Sequence, residues 1–223
     1  MFVRCLAGIL PAAEAVFCVE RFVEMFNRTR DKILKLFRAN FGYMNYDSLK
    51  NEGIGVLQLR VLEDEGAVSK FSRGWYWCDK CGFNRPSDHK YIEICKVDPQ
   101  AVICLDSACH IAGVCSEPEV VKVATPRDDR RKIECDFAVR RFYYTHMEEE
   151  YIRVVKTEFG NYRFFAPERA VVDCMQDTKR VEPQCLSGIL SYNNTNKVKV
   201  NEYRKFIRAI KQNERKRRAN ERI

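Results

Sequence analysis

The side chains of this chain that could support catalysis or hold a metal are eleven cysteines, three histidines and several acidic clusters. The tightest spacing is Cys78-Asp79-Lys80-Cys81, a C-x2-C pair that amounts to half of a zinc site. The nearest second half would be Cys104, Cys109, His110 and Cys115, spaced more loosely than in a zinc ribbon and set in an apolar, helical block. Free cysteine is a common buried apolar residue, so packed thiols are the simpler reading, and no metal or cofactor is expected. His89, His110 and His146 are not paired with Cys or Ser in a nucleophile motif. The acids at 148–150 and the pair Asp128-Asp129 are adjacent along the chain, whereas metal ligands must converge in space. Glu168 and Asp173 stand five apart on an expected helix and do not share a face. No Gly-rich phosphate loop is present. These residues together predict a protein that is not an enzyme.

Residues suited to nucleic acid are better placed. Gln58 and Arg60 have the chemistry to read base edges, and Lys50, Lys70, Ser72 and Arg73 to reach phosphates. Four elements must position them. Ile33, Leu34, Phe37 and Phe41 form a stripe of helical period that Gly42 stops. Asn45 suits the N-cap of a short helix, YDSLKN, closing at Gly53. A third helix is expected from about Gly55 to Glu65, with Val56, Leu59 and Leu62 on its inner face and Ile54 just ahead. AVSKF (67–71) and GWYWC (74–78) then read as two strands around a turn at Ser72-Arg73-Gly74. Three helices followed by a two-stranded ribbon predict a winged helix-turn-helix over 27–80, whose third helix would enter the major groove. Solvated charges on a protein-binding winged helix are the alternative.

The net charge of +8 permits a polyanionic partner, and its distribution is more telling than its size. Residues 27–77 carry +3 and residues 201–223 carry +6, leaving the remainder close to neutral. At 46% hydrophobic and 31% charged, the composition is globular and excludes disordered and collagenous classes. No apolar run reaches the roughly 20 residues of a membrane span. Eleven scattered thiols, an odd number, predict a reducing cytoplasm. Residues 1–26 read as an extension, either an appended helix or an over-long start, because Met25 opens a segment that looks like a natural beginning.

After a linker over 81–90, residues 91–223 predict a mixed domain. The block 89–114 predicts a strand-like start followed by two helical pieces, the second opened by Asp106-Ser107 and closed by Gly113. EVVKVATP, KIECDFAVRRFYYT, YIRVVKT and YRFFAP read as strands. In the second of these, Ile133, Cys135, Phe137 and Val139 alternate with Glu134, Asp136 and Ala138. APERAVVDCM starts a helix with Pro167 at its first position and Val171, Val172 and Met175 inward. A last helix, 201–218, is expected with Asn201 as its cap. Tyr203, Phe206, Ile207 and Ile210 would anchor it. Arg204, Lys205, Arg208 and Lys211 would then form a second anionic contact or a solvated face, with Lys216, Arg217 and Arg218 beyond them. The fold class is therefore α+β.

The winged-helix start, PQAVICLDSACHIAGV, the strand ending VATPRDDRR, RFYYT and FAPERAVVDCM resemble, in that order, the AbiEi antitoxin family. The resemblance spans about residues 27–215. It implies a cytoplasmic transcriptional autorepressor of a type IV toxin–antitoxin, abortive-infection pair. The N-terminal winged helix would bind an inverted repeat in the protein's own promoter. The C-terminal domain would counteract a nucleotidyltransferase-like toxin without a stable complex. Cys78 and Cys81 depart from the plain linker usual after the wing. Two alternatives stay open: a solitary winged-helix regulator, and a metal-dependent nucleic-acid processing enzyme using the Cys and acid clusters.

Overall fold

The computed structural model describes residues 27–129 and 132–220, with side chains of the last helix described as far as Asn213. The expected extension over 1–26 lies outside the described residues, as do the side chains of Lys216, Arg217 and Arg218. The chain forms two compact units, divided between Pro86 and Ser87. Both helices and strands are well represented, so the fold class is α+β.

In the first unit, helix α1 covers 27–39 of the described residues, and its stripe buries Ile33 and Phe37. The Gly42 amide donates back to Phe37 O at 2.8 Å, and Gly42 adopts φ +84, a left-handed conformation that favours glycine. Strand β1 (Tyr43–Asn45) leads into α2 (Tyr46–Asn51), where Asn45 Oδ1 accepts the Ser48 amide at 2.7 Å as an N-cap should. Helix α3 is Val56–Asp64. The antiparallel hairpin β2 (Val68–Ser72) and β3 (Trp75–Cys78) turns at Arg73-Gly74, and the sheet order is β1-β3-β2. One core gathers Ile33, Phe37, Leu49, Leu59, Leu62 and Tyr76. Val56 is a correction to the expected inner face, being exposed. Each three-residue step turns about 60° backwards around a helix, so the two steps from Val56 to Leu62 span about 120°, and the burial centred on Leu59 and Leu62 leaves Val56 outside.

The second unit is built on a five-stranded mixed sheet, β6-β5-β4-β8-β7. Its strands are β4 (Val102–Ile103), β5 (Val121–Pro126), β6 (Val139–Tyr144), β7 (Ile152–Thr157) and β8 (Gly160–Phe165). The β5–β6 and β4–β8 pairs are parallel; β4–β5 and β7–β8 are antiparallel. Around the sheet run α4 (His89–Val97), α5 (Leu105–Ile111), α6 (Pro167–Gln176), α7 (Pro183–Thr195) and α8 (Lys197–Asn220). Helix α4 packs on β8, and α6 contacts α5, α7 and α8.

Four expectations are corrected here. Residues 89–95 are helical, not strand-like: buried Tyr91, Ile92, Ile94 and Cys95 stand at i, i+1, i+3 and i+4, a helical period. Over 132–138 the accessibility alternates as expected, but continuous strand begins only at Val139, which pairs with Val121 at the start of β5. Asp106-Ser107 does not open α5; Cys104 occupies the cap position and the Asp106 carboxylate turns to Lys122. Asn201 lies inside α8, which starts at Lys197, with only Asn196 between it and the end of α7. Residues 183–195 form a helix that the local pattern does not predict, with Cys185 and Ile189 buried.

Candidate nucleic-acid interface

Helix α3 presents Arg60 outward, among exposed Val56, Leu57 and Val61. Leu57 is the most exposed of these apolar residues, at 75%. The hairpin presents Lys70 and Arg73, and α2 presents Lys50, all exposed. Four of the six expected contact residues are thus accessible cations, each on an element of the first unit.

The other two are corrected. Gln58 is half-buried, and its Oε1 accepts the Gly55 amide at 2.7 Å, closing the N-terminus of α3. Its side-chain carbonyl already satisfies an orphan helix donor, so reading a base would uncap the helix. Ser72 is 7% exposed, held where β2 shifts register against Trp75, and does not face solvent as a phosphate contact must. Acidic neighbours temper the surface. Arg30 pairs with Glu65 at 3.3 Å and Lys32 with Glu52 at 3.4 Å.

The second set of cations separates in the same way. Lys205, Arg208 and Lys211 are exposed on α8, whereas Arg204 is held inward. It donates to Asn201 Oδ1 at 3.0 Å and Asn193 Oδ1 at 2.9 Å, with the Met175 sulfur at 3.8 Å. Tyr203 is buried and Phe206 and Ile207 pack around it, as the expected stripe requires.

Cys78 and Cys81 are buried, and the Cys81 thiol donates to Cys78 O at 3.1 Å. Burial, then the neighbouring Cys81, pushes the Cys78 thiol up to about 12, away from the thiolate that binds metals. Cys104 and Cys109 are likewise buried, while Cys115 and His110 are partly exposed. Among the described residues, no group of three or more His, Cys, Asp or Glu side chains is arranged to hold a metal ion. The acid runs face arginines instead: Asp129 meets Arg141, Glu149 meets Arg163, and Glu148 meets Arg169. Among the described residues no helix is long and apolar enough to cross a membrane.

Two of the buried charged side chains, Lys122 and Arg169, are held by partners far along the chain. Lys122, in the otherwise apolar β5, is 3% exposed and donates to Asp106 Oδ2 at 2.5 Å, with Glu182 Oε1 at 3.5 Å. A lone lysine inside VVKVAT is the available signal, since a charge in a buried strand needs a partner. Arg169, 1% exposed, reaches Glu148 and the His146 carbonyl and lies on the Phe165 ring. Nothing in its local sequence announces that burial.

No family model matches the chain, and no curated protein is significantly similar to it.

Proposed function

We propose that the first unit is a winged helix-turn-helix that binds duplex DNA, and that the chain is a cytoplasmic transcriptional autorepressor and antitoxin. The observation that supports the DNA reading is the exposure of Arg60 on α3 together with Lys70 and Arg73 on the hairpin. A helix that enters the major groove and a ribbon that follows the backbone need cations in these two places. Lys50 adds a third phosphate contact from α2. The antitoxin role rests on the ordered resemblance of the C-terminal blocks to AbiEi-like proteins. Under that reading the second unit counteracts a nucleotidyltransferase-like toxin.

The apolar residues that surround Arg60, above all Leu57, favour a second reading in which α3 meets a protein partner. Titrating labelled duplex from the protein's own promoter against a random duplex separates them. Tight, sequence-dependent binding supports the first reading, and equal weak binding to both duplexes overturns it. The antitoxin role is tested by co-expression with a nucleotidyltransferase-like toxin; growth arrest that this chain does not relieve rejects it.

A further inference from the structure

Helices α6 and α8 flank a solvent-open cleft of about 370 Å³, lined by Val172, Met175 and Gln176 from one and Arg204, Ile207, Arg208 and Lys211 from the other. The three cations stand at i, i+4 and i+7 along α8, which brings them to one side of the helix. Among the described residues no carboxylate lines this space. Asp173, near enough to Lys211 to feel its charge, is not part of the lining. Arg204 is fixed by two amide oxygens and a thioether, all of them neutral, so its guanidinium is positioned without being neutralised. Preorganised guanidinium groups favour phosphate, whose oxygens match their donor geometry.

We propose that this cleft binds a nucleoside phosphate. Arg208 and Lys211 hold the phosphate with Arg204 behind them, and Val172, Met175 and Ile207 receive the base. The volume falls within the range of small-molecule sites and exceeds what a lone phosphate needs. The mixed lining has the same meaning: a bare anion gains nothing from Val172 or Ile207, whereas a base packs against them and against the Met175 sulfur. Gln176 supplies an amide able to hydrogen-bond a base edge. This site lies in the second unit and does not depend on DNA binding by the first.

Equilibrium dialysis of the full chain with radiolabelled ADP tests the proposal, alongside AMP, adenosine and inorganic phosphate as competitors. One saturable ADP per chain is expected, with AMP competing better than either adenosine or phosphate. The double variant Arg208→Ala/Lys211→Ala, altered only at exposed side chains, should weaken ADP binding at least tenfold while melting like the parent. Lys205→Ala, exposed and outside the lining, should stay within twofold. Met175→Ala should reduce ADP binding more than phosphate binding. No saturable ADP binding at millimolar concentration overturns the proposal, as does binding that survives the double variant. Inorganic phosphate competing as well as AMP would reject the nucleoside part. Oligonucleotide binding through Arg208 and Lys211 without ADP binding would replace the proposal with a nucleic-acid contact.

Discussion

The guanidinium carbon of Arg169 lies 3.6 Å from the centroid of the Phe165 ring, joining the first turn of α6 to the last residue of β8. Only Ala166 separates that strand from the helix. The same guanidinium donates to Glu148 and to the His146 carbonyl, so one side chain binds the 146–148 loop to α6 while stacked on an aromatic face. Arg169→Ala should destabilise the second unit by about 3–5 kcal/mol, because it leaves the Glu148 carboxylate without this cation and opens a cavity beside Phe165. Arg169→Lys should recover little, since an ammonium cannot both stack and fork. Chemical denaturation of the three proteins provides the comparison, and a loss below 1 kcal/mol for Arg169→Ala would refute the account.

Asp173 stands one turn further along α6, its Oδ2 buried without a hydrogen-bond partner. Burial pushes its carboxyl up from 3.8 to about 6, against the opposing pull of Arg169 and the Tyr144 hydroxyl. Between about pH 4 and pH 6 the native state then holds a proton that the unfolded chain has released. This contribution to stability is present at low pH and lost as the pH rises through about 6. Asp173→Asn should remove that slope and stabilise the protein at pH 7 by on the order of 2 kcal/mol. Parallel urea midpoints for parent and variant across pH 4–7 would contradict this. Glu182 acts in the opposite sense. Burial raises its pKa, but the amides of Glu119 and Val120 and the Lys122 ammonium outweigh that and leave it lowered, so its contribution is lost on acidification.

Lys122 and Asp106 form a buried pair that also takes the Glu182 amide onto Asp106 Oδ2 at 2.8 Å. Strand β5, helix α5 and the start of α7 are thereby tied at one point. Asp106→Ala should cost about 3 kcal/mol, tempered by the contact Lys122 keeps with Glu182. Adding Lys122→Met should restore part of the loss, because the stranded charge is then gone. Additive losses in the double variant would show that the two side chains do not act as a pair.

Gly42→Ala should destabilise the first unit by about 2–4 kcal/mol. A Cβ there would stand 2.4 Å from Cζ3 of buried Trp77, and the backbone is left-handed at φ +84. A thermal melt of this variant that matches the parent would disprove the close approach.

Arg60→Ala should weaken binding to the promoter duplex by about 1–3 kcal/mol and relax sequence preference, if the guanidinium reads guanine. Arg73→Ala should weaken promoter and random duplex about equally and lower the salt slope of log affinity by about 0.9. Gln58→Ala should act mainly through loss of the α3 cap, lowering stability as well as affinity. A change in base preference from Gln58→Ala without loss of stability would return that residue to a reading role.

Local signals placed the helices and the hairpin of the first unit, whereas β1 depends on its pairing with distant β3. Asn45 as a cap, Gly42 and Gly53 as stops, the Leu59–Leu62 face and the hairpin turn before Gly74 act within a few residues of themselves, so composition and spacing alone determine them. The α+β class was legible for the same reason. What the tertiary structure decided concerns residues whose partners are far along the chain. Residues 132–138 show an apolar alternation that suits a strand, but a strand needs a neighbour with free backbone groups, and β5 offers one only from Val121 onward. Gln58 and Ser72 have the chemistry to meet nucleic acid, yet a helix terminus and a register shift claim them first. Arg169, Lys122 and Asp106 are charged residues whose burial depends on partners up to 76 positions away, which sequence spacing does not encode. Likewise the spacing of Arg204, Arg208 and Lys211 sets them on one side of α8, but only the packing of α6 against that side makes a cleft there.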